Sequence, residues 1–162
     1  MDQYEKVKNQ LDELGIEFDK VEHEPALTTE DADRFIEGKA GVRTKSMFLT
    51  DKKKRSWFLV IMDDVKRLDM KAFGELVETK GIKMASEESL MEKMMLPAGT
   101  VSVFGLINNA KHDIQVYFDE EIMSEEILTF HPNRNDITLF VKTPDVLKFL
   151  DNLGYEAHIV QL

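Results

Sequence analysis

Two nearly continuous apolar runs mark the centre of the predicted fold. Met47–Leu49 and Trp57–Met62 have the length of β-strands and contain no charged residue. Such runs are typical of strands that are covered on both faces of a sheet. The basic run Lys52–Arg55 between them predicts the tip of a hairpin, most simply a solvated turn that protects a sheet edge. The pattern therefore places this hairpin at the middle of a sheet.

Other segments repeat apolar residues at helical spacing and carry signals for helix ends. Thr28, Asp69 and Ser86 are suitable N-caps, and Gly15 and Gly154 follow two of the segments where a helix would end. The predicted helices are Asp2–Leu14, Thr28–Ile36, Asp69–Val77, Ser86–Met95 and Thr143–Leu150. In the fourth helix, the apolar spacing favours core packing of Met91, Met94 and Met95 over an adaptable partner-binding face.

The remaining apolar segments predict further strands. They are Ile16–Glu22, Gly99–Asn109, Ile114–Phe118, Ile127–Phe130, Ile137–Val141 and Ala157–Val160. Gly105 interrupts the second of these, which indicates a bulge or the close approach of another backbone or a ligand. Helices and strands alternate without a linker or an internal repeat, so we expect one α/β domain over residues 1–162.

Length and composition agree with a globular protein of one domain. The chain has 162 residues, of which 43% are hydrophobic and 32% charged, and no apolar run is long enough to span a bilayer. The first residues lack the basic and apolar segments of a signal peptide. Cysteine is absent, which excludes thiolate catalysis and disulfides. We therefore expect a cytoplasmic protein without a membrane partner.

The net charge argues against a broad electrostatic contact with nucleic acid. At −10, the chain lacks the excess of Lys and Arg that binding to DNA along its length requires. Only the local run Lys52–Arg55, with Arg43 and Lys45, offers positive charge. We expect no DNA partner.

Common catalytic motifs are missing. None of the four histidines belongs to a His-Glu-x-x-His pattern, so no metal site is predicted. The chain also lacks a Gly-x-Ser-x-Gly elbow, a phosphate loop and a dinucleotide fingerprint, and we predict no cofactor.

Polar residues instead follow or interrupt the predicted strands at four places. These are His23-Glu24-Pro25, the strand entry with Lys45, the segment Gly99–Asn109, and His131-Pro132-Asn133. Side chains at strand ends commonly line a pocket. Spacing alone does not decide whether the four places share one rim, and it leaves both histidines open between a turn and a pocket role.

Taken in order, these segments resemble the family of free-standing aminoacyl-tRNA deacylases that includes the YbaK and prolyl-tRNA editing proteins and the editing domain of bacterial prolyl-tRNA synthetases. The resemblance extends from about Phe18 to Val160. It rests on His23-Glu24-Pro25, Thr44–Leu49, Val101–Asn108 and Phe130–Asn133. It implies an α/β fold with a curved mixed sheet flanked by helices. The order of motifs is most similar to that of prolyl-tRNA editing proteins, which remove alanine from the proline tRNA.

The resemblance also implies the residues of the site. Lys45 matches the family's required lysine, which is thought to bind the substrate around the ester and the terminal adenosine. The family's pocket loop Gly-x-x-x-Pro matches Gly99–Val103, where valine replaces proline and leaves the amino acid that is removed in doubt. The implied substrate-binding residues are His23, Thr44, Gly99, Thr100, Val101, Ser102, Val103, Phe104, Gly105, Asn108 and His131.

An aminoacyl ester is already activated, so its hydrolysis needs an oriented water and a stabilised oxyanion rather than a covalent nucleophile. We therefore expect Lys45 and the amides of Gly99–Ser102 to hold the acceptor end of aminoacyl-tRNA, beside a small pocket near Val103, Phe104, Leu106 and His131. Two alternatives stay open: a deacylase for cysteine or serine, and a non-catalytic module of the same fold that binds tRNA or prolyl-tRNA synthetase.

Overall fold

The computed structural model describes residues 2–162, and within them eight strands form one mixed sheet flanked by helices. The strands are β1 (Phe18–Glu22), β2 (Val42–Thr50), β3 (Trp57–Asp63), β4 (Lys83–Met84), β5 (Ile114–Asp119), β6 (Ile127–Phe130), β7 (Ile137–Lys142) and β8 (Ala157–Val160). The helices are α1 (Gln3–Glu13), α2 (Thr29–Phe35), α3 (Met70–Leu76), α4 (Glu87–Met94), α5 (Glu120–Met123) and α6 (Thr143–Leu153). The predicted α/β class with a mixed sheet is confirmed.

The central hairpin β2–β3 lies where the sequence pattern predicts it. The strand order is β1-β7-β6-β2-β3-β5-β8, and the short strand β4 also pairs with β2. Strands β2 and β3 are antiparallel, whereas β3 pairs with β5, and β5 with β8, in parallel. The sequence analysis missed β4, which has only two residues.

Strand β3 is covered on both faces, as its apolar run predicts. Its side chains alternate between two cores: Leu59 and Ile61 join the larger one, and Phe58, Val60 and Met62 join the smaller one beside α3. All five are at most 1% exposed. The alternation follows from the two-residue period of a strand and makes β3 the rigid centre of the molecule.

One edge of β2 is left partly open. Residues Thr44–Thr50 pair with β3 along their whole length. On the other edge, β2 pairs with β6 only at Val42 and Arg43, and with β4 only at Leu49 and Thr50. Within residues 2–162, no strand pairs with 44–48 on that edge. The sheet therefore splits between β6 and β4.

The prediction of a strand over Gly99–Asn109 is wrong. Val103–Asn108 forms a 3-10 helix, whose N-cap Ser102 accepts a hydrogen bond from the Phe104 amide. Gly105 allows close approach, as predicted, but to side chains: a Cβ there would lie 2.9 Å from Leu96 Cδ1. Residues 103–106 are all buried, which explains why the sequence is apolar there. A short apolar run does not distinguish a buried helix from a buried strand.

Helix α4 only partly follows the prediction of core packing. Leu90 and Met94 are buried, but Met91 and Met95 are 51% and 55% exposed. Met91 and Met95 are four residues apart and so share the solvent side of the helix end, where Met95 is the C-cap in a left-handed conformation, with φ 57°. Core packing is thus wrong for these two residues.

Candidate active site

The open stretch of β2 forms one wall of a cavity of about 370 Å³. Thr44, Lys45 and Ser46 of β2 line it, together with residues of α2, of the β4–α4 junction, of the loop 98–102, and of the turn after β6. This volume lies within the range of small-molecule sites. The gap in strand pairing between β6 and β4 therefore opens onto this cavity.

Lys45 supplies a free cation to this cavity. It is held by β2, where it pairs with Met62 of the buried strand β3. Within residues 2–162, its ammonium makes no hydrogen bond or ion pair, although its side chain is half-buried. An unpaired ammonium at a cavity wall is a ready donor to ester, ribose or phosphate oxygens.

Arg43 has a structural role instead of the substrate-facing one expected from the sequence. Its guanidinium donates hydrogen bonds to the carbonyl oxygens of Gly41, Ile36 and Lys39 at 2.7–2.9 Å. These bonds fix the turn between α2 and β2. They leave Lys45 as the cation of this strand that lines the cavity.

The loop 99–102 presents unused backbone donors. Within the described chain, the N–H groups of Gly99, Val101 and Ser102 donate no hydrogen bond to another protein group, and all three residues line the cavity. Free amides near a cation suit the stabilisation of a developing oxyanion. The loop thus carries the donors that ester hydrolysis needs.

Asn133 fixes this loop from behind. Its amide accepts a hydrogen bond from the Ser102 hydroxyl at 3.1 Å and donates one to the Phe104 carbonyl at 3.3 Å. Asn133 is only 4% exposed and has φ 62°, a left-handed conformation that asparagine tolerates better than most residues. It therefore ties the loop 99–104 to the turn that carries His131.

His131 lines the cavity as a neutral ring. Its Nδ1 lies 3.1 Å from the Ile137 carbonyl, which can only accept, so we assign the proton to Nδ1 and a lone pair to Nε2. Burial lowers the pKa of His131 below its ordinary value of 6.5. At neutral pH the ring consequently offers Nε2 as a hydrogen-bond acceptor.

His23 lies behind the cavity wall rather than in it. Its Nδ1 is 2.7 Å from the Glu24 carbonyl, and its Nε2 is 2.9 Å from the hydroxyl of Thr138, a lining residue. The ring also stacks on Phe35 of α2, with ring centroids 4.9 Å apart. His23 thereby links α2 to the wall formed by β7.

Two carboxyl groups meet where α2 closes the cavity. Asp64 directly follows β3, and Asp33 of α2 lines the cavity. Burial, and then the neighbouring carboxyl group of Asp33, raise the pKa of Asp64 to about 8. Among the described residues, the buried oxygen Oδ2 of Asp64 has no hydrogen-bond partner, so at neutral pH a bound proton relieves the cost of burying this carboxyl group.

The structure brings together about half of the residues predicted for the site. The cavity lining contains Thr44, Lys45, Gly99, Val101, Ser102 and His131. Thr100 lies beside it and donates to the Pro97 carbonyl. Val103, Phe104 and Gly105 are buried in the core, and the Asn108 amide donates to Gln3 and to the Met94 carbonyl. The small pocket expected near Val103, Phe104 and Leu106 is therefore filled by the protein itself.

Several lining residues carried no signal in the sequence. Ser46, Asp33, Met84 and Thr138 reach the cavity from four different elements. The gap in the pairing of β2 explains Ser46, and the pairing of β4 with β2 explains Met84. Neither feature is local in the sequence. Ser46 lies within the segment Thr44–Leu49 that the sequence analysis singled out, and Asp33 lies in the predicted helix after His23-Glu24-Pro25, but neither was predicted to line the site.

The described residues contain no group of three or more His, Asp or Glu side chains suited to a metal ion. No helix in residues 2–162 is long and apolar enough to cross a membrane. The groups around the cavity include one ammonium, free backbone amides, a neutral imidazole, hydroxyl groups and the carboxyl groups of Asp33 and Glu87.

Comparisons with known proteins agree with this chemistry. The family model described as "Aminoacyl-tRNA editing domain" matches residues 23–149. The "Prolyl-tRNA editing protein ProX" of Acetoanaerobium sticklandii is 29% identical over 100% of this chain and 99% of its own. "Prolyl-tRNA synthetase associated domain-containing protein 1" of Danio rerio is 28% identical over 93% of this chain and 82% of its own.

A solved structure supports the fold. It is described as a candidate trans-editing enzyme for prolyl tRNA synthetase, and it matches with a TM-score of 0.75 at 17% identity over 100% of this chain and 98% of its own. At that identity the likeness concerns the fold alone. The family match decides the assignment: the chain belongs to the aminoacyl-tRNA editing domain family, the family that its motifs resemble, and is an aminoacyl-tRNA hydrolase.

Proposed function

We propose that this protein is a trans-editing deacylase that removes alanine from mischarged proline tRNA in the cytoplasm. The observation that carries the proposal is that Lys45, whose ammonium has no partner among the described residues, lines the same small cavity as the unused amides of the loop 99–102. The name of the Acetoanaerobium sticklandii relative, a prolyl-tRNA editing protein, supports proline tRNA as the substrate.

The proposed reaction needs no covalent intermediate. Lys45 binds the oxygens around the ester and the terminal ribose, and the amides of Gly99, Val101 and Ser102 stabilise the oxyanion that forms when water attacks the carbonyl carbon. The bond between the carbonyl carbon and the ribose oxygen then breaks, and the ribose leaves as a hydroxyl. Because the ester is activated, orientation of the water supplies the remaining rate enhancement.

The sequence left the identity of the removed amino acid in doubt because Val103 replaces the family's loop proline. The position of Val103 makes this replacement a weaker argument against alanine. Val103 is fully buried, and it does not line the cavity. The substitution therefore acts on the shape of the loop rather than by adding a side chain to the pocket. A cavity of about 370 Å³ that also holds the terminal ribose favours a small amino acid.

Prolyl-tRNA synthetase is a further proposed partner. The exposed methionines Met91 and Met95 leave an adaptable apolar face on α4. The name of the Danio rerio relative refers to a synthetase-associated domain. If the protein were only a docking module, it would bind the synthetase without hydrolysing any ester.

The test is a panel of alanyl-, seryl-, cysteinyl- and prolyl-esters of proline tRNA, incubated with the purified protein. We expect fast loss of the alanyl ester and persistence of the prolyl ester. Faster loss of the cysteinyl or seryl ester would show that the preferred substrate carries cysteine or serine instead of alanine. No loss of any ester would refute the deacylase and favour the docking module.

A further inference from the structure

One exposed surface collects cations that have no acidic partner. It comprises Lys52, Lys53, Lys54 and Arg55 at the tip of the β2–β3 hairpin, with Lys80 and Lys83 beside them, and we call it the cationic edge. Within residues 2–162, none of its members forms an ion pair within 4 Å. In a chain of net charge −10, six unpaired cations on one surface are a notable local excess.

Several cations elsewhere in the molecule have acidic partners. Lys66 pairs with Asp119 and Lys93 with Asp113, which joins separate elements, and Arg134 pairs with both Asp136 and Asp2. Among the described residues, no member of the cationic edge makes such a bridge, so its charges are available to a partner.

The acid nearest to the cationic edge is turned away from it. Asp51 is 6% exposed, and its carboxylate accepts hydrogen bonds from the backbone N–H groups of Lys53, Arg55 and Ser56. These bonds outweigh the burial of the carboxyl and keep the pKa of Asp51 below its usual value. Asp51 therefore stabilises the hairpin tip, and the lysine side chains remain in solvent.

The cationic edge is continuous with the mouth of the cavity. Lys83 pairs with Thr50 of β2, and Gly81 packs against the side chain of Lys52. Met84, the residue after Lys83, lines the cavity and is 53% exposed. Neighbouring Cα atoms are about 3.8 Å apart, so the backbone of Lys83 lies one residue from the cavity rim, and its side chain projects to the opposite face of β4 from that of Met84.

We infer that the cationic edge binds the phosphates of the RNA strand that enters the cavity. The inference rests on the proposed function, in which the cavity holds the terminal nucleoside and the rest of the acceptor end must leave over the rim. On the α4 side the rim carries Glu87, which repels phosphate. On the β4 side the residue before the lining residue Met84 is Lys83, so electrostatics favour that route.

The chemistry of the cationic edge suits phosphates rather than bases. Five of its six members are lysines, which act as flexible point charges, and the nearby aromatic residue Trp57 is buried. Contacts of this kind add affinity without reading sequence. The cationic edge thus explains how an acidic protein can hold tRNA.

The experiment compares two triple variants that lose the same net charge. Lys52→Gln/Lys53→Gln/Lys83→Gln removes half of the cationic edge. Lys20→Gln/Lys142→Gln/Lys148→Gln removes three lysines from β1, the end of β7 and α6, at the other end of the sheet order. Each variant is assayed with mischarged tRNA over a range of salt concentrations, and with the alanyl ester of adenosine alone, which is too short to reach the cationic edge.

For the first variant we expect the KM for tRNA to rise about tenfold or more at low salt. The slope of log affinity for tRNA against log salt should become shallower by about 2, since each lost contact to single-stranded RNA contributes about 0.7. Hydrolysis of the adenosine ester should be unchanged, and the control variant should behave as wild type in both assays.

Equal KM values and salt slopes in the two variants would overturn the inference. So would a first variant that keeps its affinity for tRNA but no longer binds prolyl-tRNA synthetase, since the partner would then be a protein. If wild type hydrolyses neither substrate, the proposed function fails. The binding of uncharged tRNA to the two variants then decides the inference separately.

Discussion

The two edges of β2 have opposite roles. Along one edge, every residue from Thr44 to Thr50 pairs with β3, whose side chains fill two cores. Along the other, pairing stops after Arg43 and resumes only at Leu49. The closed edge holds the strand rigidly, and the open edge exposes part of that rigid strand to a cavity. Placing a functional lysine on an element fixed from behind gives it a defined position without enclosing its ammonium.

The largest expected effect follows from breaking the closed edge. Phe58 is 1% exposed and contacts the ring of Phe73 edge to face, with centroids 5.4 Å apart. Phe58→Ala should lower the free energy of unfolding by about 3–5 kcal/mol, because it leaves a cavity in the smaller core. Urea unfolding followed by circular dichroism measures the change. Met84→Ala, on the open side, should change stability by less than about 0.5 kcal/mol, and an equal loss in both variants would contradict the contrast.

A smaller effect is expected from Asn133, which fixes the loop opposite the open edge. Asn133→Gly keeps the left-handed backbone accessible and removes the bonds to Ser102 and Phe104, together with a longer one to Gln3. We expect stability to fall by about 1–3 kcal/mol, since buried polar groups lose their partners. At a temperature where the variant is folded, the kcat for mischarged tRNA should also fall, because the amides of the loop 99–102 are less well placed.

Asn133→Asp is the matched comparison. It retains the oxygen that accepts from Ser102 but cannot donate to the Phe104 carbonyl. Its kcat should lie between those of wild type and Asn133→Gly. A kcat equal to that of wild type in the glycine variant would show that Asn133 stabilises the fold without positioning the loop.

The smallest effect is expected for the dependence of the protein's stability on pH, at the carboxyl group of Asp64 beside α2. The pKa of Asp64 is about 8 in the folded protein and about 3.9 in an unfolded chain, so the folded state binds this proton more tightly. The stabilisation is complete below about pH 4 and is lost as pH rises to about 8. Asp64→Asn replaces the carboxyl group by an uncharged amide of similar size, and its Tm should exceed that of wild type at pH 9 by a few degrees.

Asp19→Asn serves as the control for Asp64→Asn. Asp19 is exposed on β1, so its neutralisation should leave the dependence of Tm on pH close to that of wild type. If Asp64→Asn showed the same loss of stability between pH 5 and pH 9 as wild type, the raised pKa of Asp64 would be excluded as the cause.

The sequence predicted the closed edge better than the open one, for a physical reason. The burial of β3 on both faces leaves a continuous apolar run, and the N-caps Thr28, Asp69 and Ser86 all accept the hydrogen bonds expected of them. Such signals are local in the chain. The gap in the pairing of β2 depends on where β4 and β6 end, which no local pattern records.

The same distinction explains the errors at the site. Val103 and Phe104 were expected at the pocket because of their motif, but both are buried beside the loop that does line it. Asn133 was noted only as part of a motif, although it fixes that loop. Motifs identified the right segments, whereas the direction of each side chain depends on tertiary packing.

The central claim is that the free ammonium of Lys45 on the open edge of β2 binds the aminoacyl ester. Single-turnover hydrolysis of alanyl-proline tRNA by Lys45→Ala, with Lys45→Arg alongside, tests it most directly. We expect the rate for Lys45→Ala to fall by about 10²–10³-fold while its Tm stays near that of wild type, since among the described residues the side chain has no hydrogen-bond or ion-pair partner to lose. The arginine variant should recover part of the rate. A folded Lys45→Ala protein that hydrolyses the ester at the wild-type rate would contradict the account.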